Sequence, residues 1–103
     1  MLSFLKKLMN SESMDLKQLL DDGAVVIDVR TPEEFRGGHV KNSINIPVNV
    51  IGNKAESLKK HKHIILCCAS GGRSGAATSM LKGKGFTNVY NGGSWLNVKR
   101  YVH

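Results

Sequence analysis

Two stretches of the chain, AVVIDV at residues 24–29 and HIILCC at 63–68, are almost unbroken apolar runs rich in β-branched side chains. A strand that turns one face to water alternates apolar and polar residues, whereas an unbroken run belongs to a strand covered on both faces. Such strands occur in parallel sheets held between layers of helices, so these two segments restrict the chain to an α/β architecture. Shorter extended segments are read at SINI, 43–46, and TNVY, 87–90, with a weaker fifth at 11–13. With 41% apolar residues in a length of 103, there is material for one core and little room for a second domain.

Helix signals fill the gaps. SMDLKQLLDDG, 13–23, has Ser13 as a cap, Leu16, Leu19 and Leu20 on one face, and Gly23 as the stop. In TPEEF, 31–35, Thr31 caps, Pro32 takes the first helical position and Glu34 completes a capping box. A weaker helical segment covers 53–60, a longer one is expected from Ser74 to Gly85, and a short one from Ser94 carries Trp95 and Leu96. The expected domain is 13–103, preceded by an amphipathic lead-in at 1–12. The first ten residues, MLSFLKKLMN, are interrupted by Lys6 and Lys7 and lack the cleavage pattern of a secretion signal. No apolar run approaches the roughly 18 residues of a membrane-spanning helix, so no membrane partner is expected.

The formal charge of +7 suits anionic partners in general, but the lysines are scattered. The densest cluster, KKHKH at 59–63, lacks the interleaved aromatics of a single-strand binding surface, and no nucleic-acid partner is expected. His61 and His63 within it are expected to face solvent. The only cysteines, Cys67 and Cys68, are neighbours. A disulfide between them would close almost no loop, so reduced thiols and a cytoplasmic setting are expected. The four histidines, His39, His61, His63 and His103, show no ligand spacing with the thiols, and neither a metal nor an organic cofactor is expected.

The chemistry concentrates in CCASGGRS, 67–74. Small residues after a strand let the backbone curl, so that several N–H groups and the start of the next helix converge on one point. That point favours an anion. A cysteine at its rim has its thiolate stabilised and its pKa lowered from about 8.5, which makes it a nucleophile. Arg73 either lends the loop a fixed positive charge or anchors it by pairing with a carboxylate elsewhere. Asp28 interrupts a buried strand and needs a partner, for which Arg30 or a backbone amide near the loop is the candidate. Arg30, Glu34 and His39 are read as scaffold support, and Trp95 as a packing residue.

CASGGRS resembles the active loop of rhodanese-like sulfurtransferases: a cysteine, two variable residues, glycine, one more residue, arginine, then serine or threonine. Cys68, Gly71, Arg73 and Ser74 occupy those places. DVRTPEEFRGGHVKNSINIP is similar to the family's other signature through Asp28, Arg30, Glu34, Phe35, Gly38, His39, Asn45 and Pro47. LKGKGFTNVYNGGSW is similar to its closing segment through Leu81, Gly85, Phe86, Val89, Gly92, Gly93 and Trp95. The resemblance covers about 13–97 and departs at Asn42, where a glycine is usual.

The resemblance implies a rhodanese-like three-layer sandwich with a mainly parallel central sheet of about five strands flanked by helices. It also implies a thiosulfate sulfurtransferase that works through a persulfide on Cys68. Ala69, Ser70, Gly71, Gly72, Arg73 and Ser74 would bind the substrate, with Asp28 and Arg30 in support. A small anionic donor such as thiosulfate would give up its sulfane sulfur, and cyanide, a thiol or a protein would accept it. A monomer is expected. One alternative is a persulfide carrier dedicated to a single protein partner. Another is a cysteine-dependent phosphatase or arsenate reductase, which places five residues between cysteine and arginine, a frame that Cys67 satisfies. Gly71 and Arg73 both fit the shorter frame, and Leu66 stands where such phosphatases commonly carry histidine. Cys68 is therefore the expected nucleophile and Cys67 a small buried hydrophobe.

Overall fold

The two apolar runs lie side by side in the sheet. In the computed structural model, which describes residues 11–103 with side chains from Leu16 onward, β1 (Val25–Asp28) pairs in parallel with β3 (Ile64–Cys68). β2 (Ile44–Asn45) adds to the outer edge of β1, and β4 (Val89–Ser94) to that of β3, so the order is β2-β1-β3-β4 with every pair parallel. Parallel neighbours need crossovers. After α1 (Ser11–Asp21), which precedes β1, they are supplied by α2 (Pro32–Arg36), a 3-10 turn (Ile51–Lys54) running into α3 (Ala55–Leu58), and α4 (Gly72–Gly83); α5 (Trp95–Lys99) follows β4.

The pleat distributes each buried run between two cores. Ile27, Val29, Ile64, Leu66 and Cys68 face the layer of α3 and α4, where they meet Ile51, Leu58, Ala77 and Leu81. Val26, Ile65 and Cys67 face the opposite layer and pack with Leu16 and Leu19 of α1 and Val98 of α5. All five residues of β3 are buried, as a strand without a wet face requires.

Four strands are described, where about five were expected. The segment at 11–13, expected to be extended, is the first turn of α1. Ser11, Glu12 and Ser13 are polar and none is β-branched, and they run directly into the helical spacing of Leu16 and Leu19. Residues 1–10 of the expected lead-in lie outside the described residues, and α1 runs across its boundary at 12. His61 and His63 are half-buried, where solvent exposure was expected. Asp22, just past α1, supplies a carboxylate 2.8 Å from His63 Nε2, and Tyr90 presents its ring at an edge-on angle. Among the described residues, no helix is long and apolar enough to cross a membrane.

The backbone departs from regular geometry at Gly92 and at Asn42. Between β3 and β4 the register jumps, Leu66 opposing Asn91 and Cys67 opposing Gly93, so Gly92 is an extra, bulged residue. A Cβ on Gly92 would lie 2.7 Å from a Val98 methyl and 2.8 Å from an Ile65 methyl, so no side chain fits there. Asn42, which stands where the resemblance expects glycine, has φ 68°. Asparagine tolerates this left-handed geometry better than most residues, so the turn is kept.

Candidate active site

Cys68 ends β3, and α4 begins only four residues later at Gly72, two residues earlier than expected. Gly71 makes this possible by adopting φ 103°, a left-handed cap that most side chains would oppose. The tight turn folds the loop back over the sulfur. The Gly71 amide donates to Cys68 Sγ at 3.0 Å and the Ser74 amide at 3.3 Å, with the Ser74 hydroxyl also 3.3 Å away. Burial is the largest single influence on this thiol and pushes its pKa up. The Ser74 hydroxyl and amide, with the Gly71 and Ser70 amides, together outweigh it and hold Cys68 below the ordinary thiol value.

The neighbouring thiol has the opposite fate. Cys67 is fully buried on the α1 and α5 side of the sheet. Burial, and after it the negative charge of Asp28, pushes its pKa up to about 12. The fold therefore favours ionisation of Cys68 and opposes that of Cys67.

Asp28 and Arg30, expected as supporting residues, form a buried pair. Arg30 Nε lies 2.9 Å and 3.0 Å from the two carboxylate oxygens, Nη2 reaches Oδ2 at 2.7 Å, and the Arg30 amide donates to Oδ1 at 3.0 Å. Nη2 also donates to the Gly38 carbonyl at 2.7 Å, and the guanidinium carbon sits 4.7 Å from the centre of the Trp95 ring. Asn45 closes the edge by donating to the carbonyls of Asp28 and Arg30. The pair thus fixes the chain leaving β1.

Arg73 makes the carboxylate contact that one of its two readings expects. Its guanidinium grips Glu34 with both ends, Nη1 to Oε1 at 2.7 Å and Nη2 to Oε2 at 3.0 Å. Glu34 also accepts from the Thr31 amide, and Thr31 in turn accepts from the Glu34 amide, the capping box that starts α2. Arg73 first, then the Thr31 amide, hold the Glu34 carboxyl down to about 2. Ala69, Ser70 and Gly72 are exposed around the mouth. His39 stacks on Phe35 with ring centres 3.7 Å apart and bonds its carbonyl, away from the sulfur.

Asn91 is a site residue that the sequence reading missed. Its Oδ1 accepts the Ser74 hydroxyl at 2.7 Å and the Gly93 amide at 2.9 Å, while Nδ2 donates to the Gly71 carbonyl at 3.2 Å. One side chain on β4 therefore ties together the helix start, the loop and the bulge. The glycine pair after it was the only local signal. Glu34 was expected only as scaffold, and its partnership with Arg73, 39 residues away, has no local signature.

Comparison with known proteins agrees with this arrangement. Residues 13–97 match the Rhodanese-like domain family. The chain is 38% identical over 68 residues to the uncharacterized protein YqhL of Bacillus subtilis, covering 66% of this chain and 54% of that one. It is 32% identical over 73 residues to thiosulfate sulfurtransferase GlpE of Pseudomonas syringae, covering 71% of this chain and 69% of that one. The chain thus spans only about half the length of the first of these relatives. Among solved structures, a rhodanese with anions from E. coli superposes with a TM-score of 0.67 at 32% identity, over 73% of this chain and 91% of that one.

Proposed function

Because the chain belongs to the rhodanese-like domain family, we propose that it transfers sulfane sulfur through a persulfide on Cys68. The observation that carries the reading is the convergence of two backbone donors on one sulfur, the amides of Gly71 and Ser74 at 3.0 and 3.3 Å from Sγ, with the Ser74 hydroxyl oxygen also 3.3 Å away. Donors fixed in advance stabilise a thiolate, and after transfer they face the charged terminal sulfur of a persulfide without costly rearrangement.

In the first step the Cys68 thiolate attacks the outer sulfur of a donor. A new S–S bond forms at Sγ while the donor's own S–S bond breaks, its electron pair leaving on the inner sulfur as sulfite or a thiolate. In the second step a thiophilic acceptor, such as cyanide or a thiol, attacks the terminal sulfur and the Cys68 thiolate is returned. Two displacements replace one difficult transfer. Arg73 and Glu34 serve by holding the loop closed, and Asp28 and Arg30 by fixing the floor. The longer phosphatase frame finds less support, since its cysteine would be Cys67, whose thiol is buried on the other side of the sheet.

The test is loading with a sulfane donor followed by intact-mass measurement. The parent and Cys67→Ala are expected to gain the mass of one sulfur at Cys68 and to release it to cyanide as thiocyanate. Cys68→Ser is expected to gain none. Loading that survives in Cys68→Ser, with the fold intact, would overturn the assignment.

A further inference from the structure

The Asn91 side chain is oriented by two backbone groups that each have a single role. The Gly93 amide can only donate and lies 2.9 Å from Oδ1, and the Gly71 carbonyl can only accept and lies 3.2 Å from Nδ2. Asn97 steadies the same stretch by donating from Nδ2 to the carbonyl of Gly92, the bulged residue between Asn91 and Gly93, at 2.9 Å. Asn91 therefore presents an acceptor, Oδ1, to the Ser74 hydroxyl at 2.7 Å.

A hydroxyl has one proton to give. Ser74 is fully buried, and two acceptors stand within reach of that proton, Asn91 Oδ1 at 2.7 Å and Cys68 Sγ at 3.3 Å. With Cys68 protonated there is no conflict, because the hydroxyl donates to Asn91 while the S–H donates to Oγ. Once the thiol proton leaves to solvent, the thiolate faces the lone pairs of Oγ. The hydroxyl then either stays with Asn91 and leaves the charge without a donor on that side, or turns to the sulfur and leaves Oδ1 with the Gly93 amide alone. Both courses make the thiolate less stable than it would be beside an uncommitted hydroxyl.

The charged and titratable groups around this sulfur are spread over four elements. Arg73 of α4 is paired with Glu34 of α2, Asp28 of β1 with Arg30 just beyond it, and Cys67 precedes Cys68 on β3. Asn91 differs from all of these in being neutral and in acting on the sulfur through a hydroxyl.

We propose that Asn91 is a positioning residue for Cys68: it competes with the sulfur for the single Ser74 proton, so that each thiolate is held less tightly and attacks more readily. The benefit rests on the sulfur-transfer reading, in which that attack is the loading step.

Competition has a signature that loop support alone lacks. Asn91→Ala removes the acceptor and frees the hydroxyl for the thiolate, so the Cys68 pKa is expected to fall by about half a unit to one unit, as for one ordinary hydrogen bond gained. A thiolate of lower pKa is the weaker nucleophile, and loading at full ionisation is expected to slow about two- to threefold. Asn91→Asp keeps an acceptor, adds a negative charge and is expected to raise the Cys68 pKa by about one unit. Both substitutions lose the bond to the Gly71 carbonyl. A residue that only tied down the loop would therefore raise the pKa in both, by loosening the amides on the sulfur.

The experiment follows the rate of Cys68 alkylation by iodoacetamide against pH, and the rate of sulfur gain from thiosulfate and from glutathione persulfide at full ionisation. The proteins are the parent, Asn91→Ala, Asn91→Asp, Ser74→Ala and Ser74→Ala/Asn91→Ala, with Asn91→Leu as a second variant that lacks the acceptor but fills the space. Asn91→Leu is expected to match Asn91→Ala. In the Ser74→Ala background, Asn91→Ala is expected to lower the pKa no further, since the hydroxyl through which it acts is gone. An unchanged or raised pKa in the folded Ala and Leu variants, or the same fall with and without the Ser74 hydroxyl, overturns the proposal. Absence of loading from both donors in the parent overturns sulfur transfer, while the alkylation profile still decides whether Asn91 competes for the proton.

Discussion

Cys67 and Cys68 are consecutive residues of one strand with the same side chain, and the fold gives them opposite chemistry. The pleat turns Cys67 into the layer of α1 and α5, against Val26, Ile65 and Val98, and close to the charge of Asp28. It turns Cys68 the other way, under a loop whose amides converge on its sulfur. Composition does not make a thiol reactive here; a one-residue step along the strand does. The sharpest way to break the contrast is alkylation at neutral pH. With a pKa of about 12, Cys67 holds roughly one thiolate in 10⁵ at pH 7, whereas Cys68 lies below the ordinary thiol range. Iodoacetamide labelling followed by peptide mass analysis is expected to modify Cys68 more than about 10³-fold faster in the folded protein, and both residues alike in denaturant. Comparable rates in the folded state would remove the distinction.

The Cys67 side depends on charge being matched in the interior. Asp28 is fully buried and Arg30 nearly so, and each is the other's counter-ion. Asp28→Asn leaves the guanidinium charged and unpaired, a change that typically costs about 3–5 kcal/mol. For a domain of this size that corresponds to a fall in Tm of more than about 12 °C. A thermal melt in which this variant matches the parent would show that the pair does not hold the floor.

On the Cys68 side the expected effect is smaller and concerns ionisation rather than folding. The Ser74 hydroxyl is 3.3 Å from Sγ and has a single proton, which it gives to Asn91 Oδ1 at 2.7 Å. When Cys68 carries a proton, S–H can donate to Ser74 Oγ; when Cys68 is ionised, the hydroxyl can turn to the sulfur instead. A hydrogen bond to a charged group contributes about 1.5–3 kcal/mol, or roughly one to two pKa units. Ser74→Ala is therefore expected to raise the Cys68 pKa by about one unit, within that range. Fewer thiolates then exist at pH 7, so alkylation slows up to about tenfold there, and the difference closes once the pH exceeds the variant's pKa. A pH profile of the labelling rate checks both the shift and its sign.

Local signals made much of this legible in the sequence. The unbroken runs became β1 and β3, the Thr31, Pro32 and Glu34 pattern became the start of α2, and the small residues after Cys68 became the turn over its sulfur. What escaped depends on distance along the chain. Asn91 reaches the loop only because β4 lies beside β3 with a bulge at Gly92, a register no local pattern encodes. Arg73 carries two readings, and Glu34, the carboxylate that one of them needs, is 39 residues away in the chain. The weak extended segment at 11–13 had too few residues for a period to declare itself, and the neighbouring helix extended back through it.

The smallest expected effect is the most discriminating for Cys67, because it separates a packing residue from a chemical one. If Cys67 acts as a small hydrophobe, Cys67→Ala removes a single buried sulfur and costs about 1 kcal/mol, comparable to trimming one methylene from a core side chain. Cys67→Ser keeps the volume closer to the original but places a hydroxyl among Leu16, Val26, Ile65 and Val98. Without a partner that hydroxyl costs about 1–3 kcal/mol, so serine is expected to be the less stable variant although it is the closer isostere. A residue with a polar or redox duty would show the reverse order, since serine would keep part of its hydrogen bonding. Denaturant melts of the two variants decide the ranking. Sulfur loading at Cys68, measured below both melting transitions, is expected to stay within about twofold of the parent, as for a substitution outside the transition-state contacts. Serine proving more stable than alanine, or a loss of loading in either folded variant, would place Cys67 in the chemistry after all.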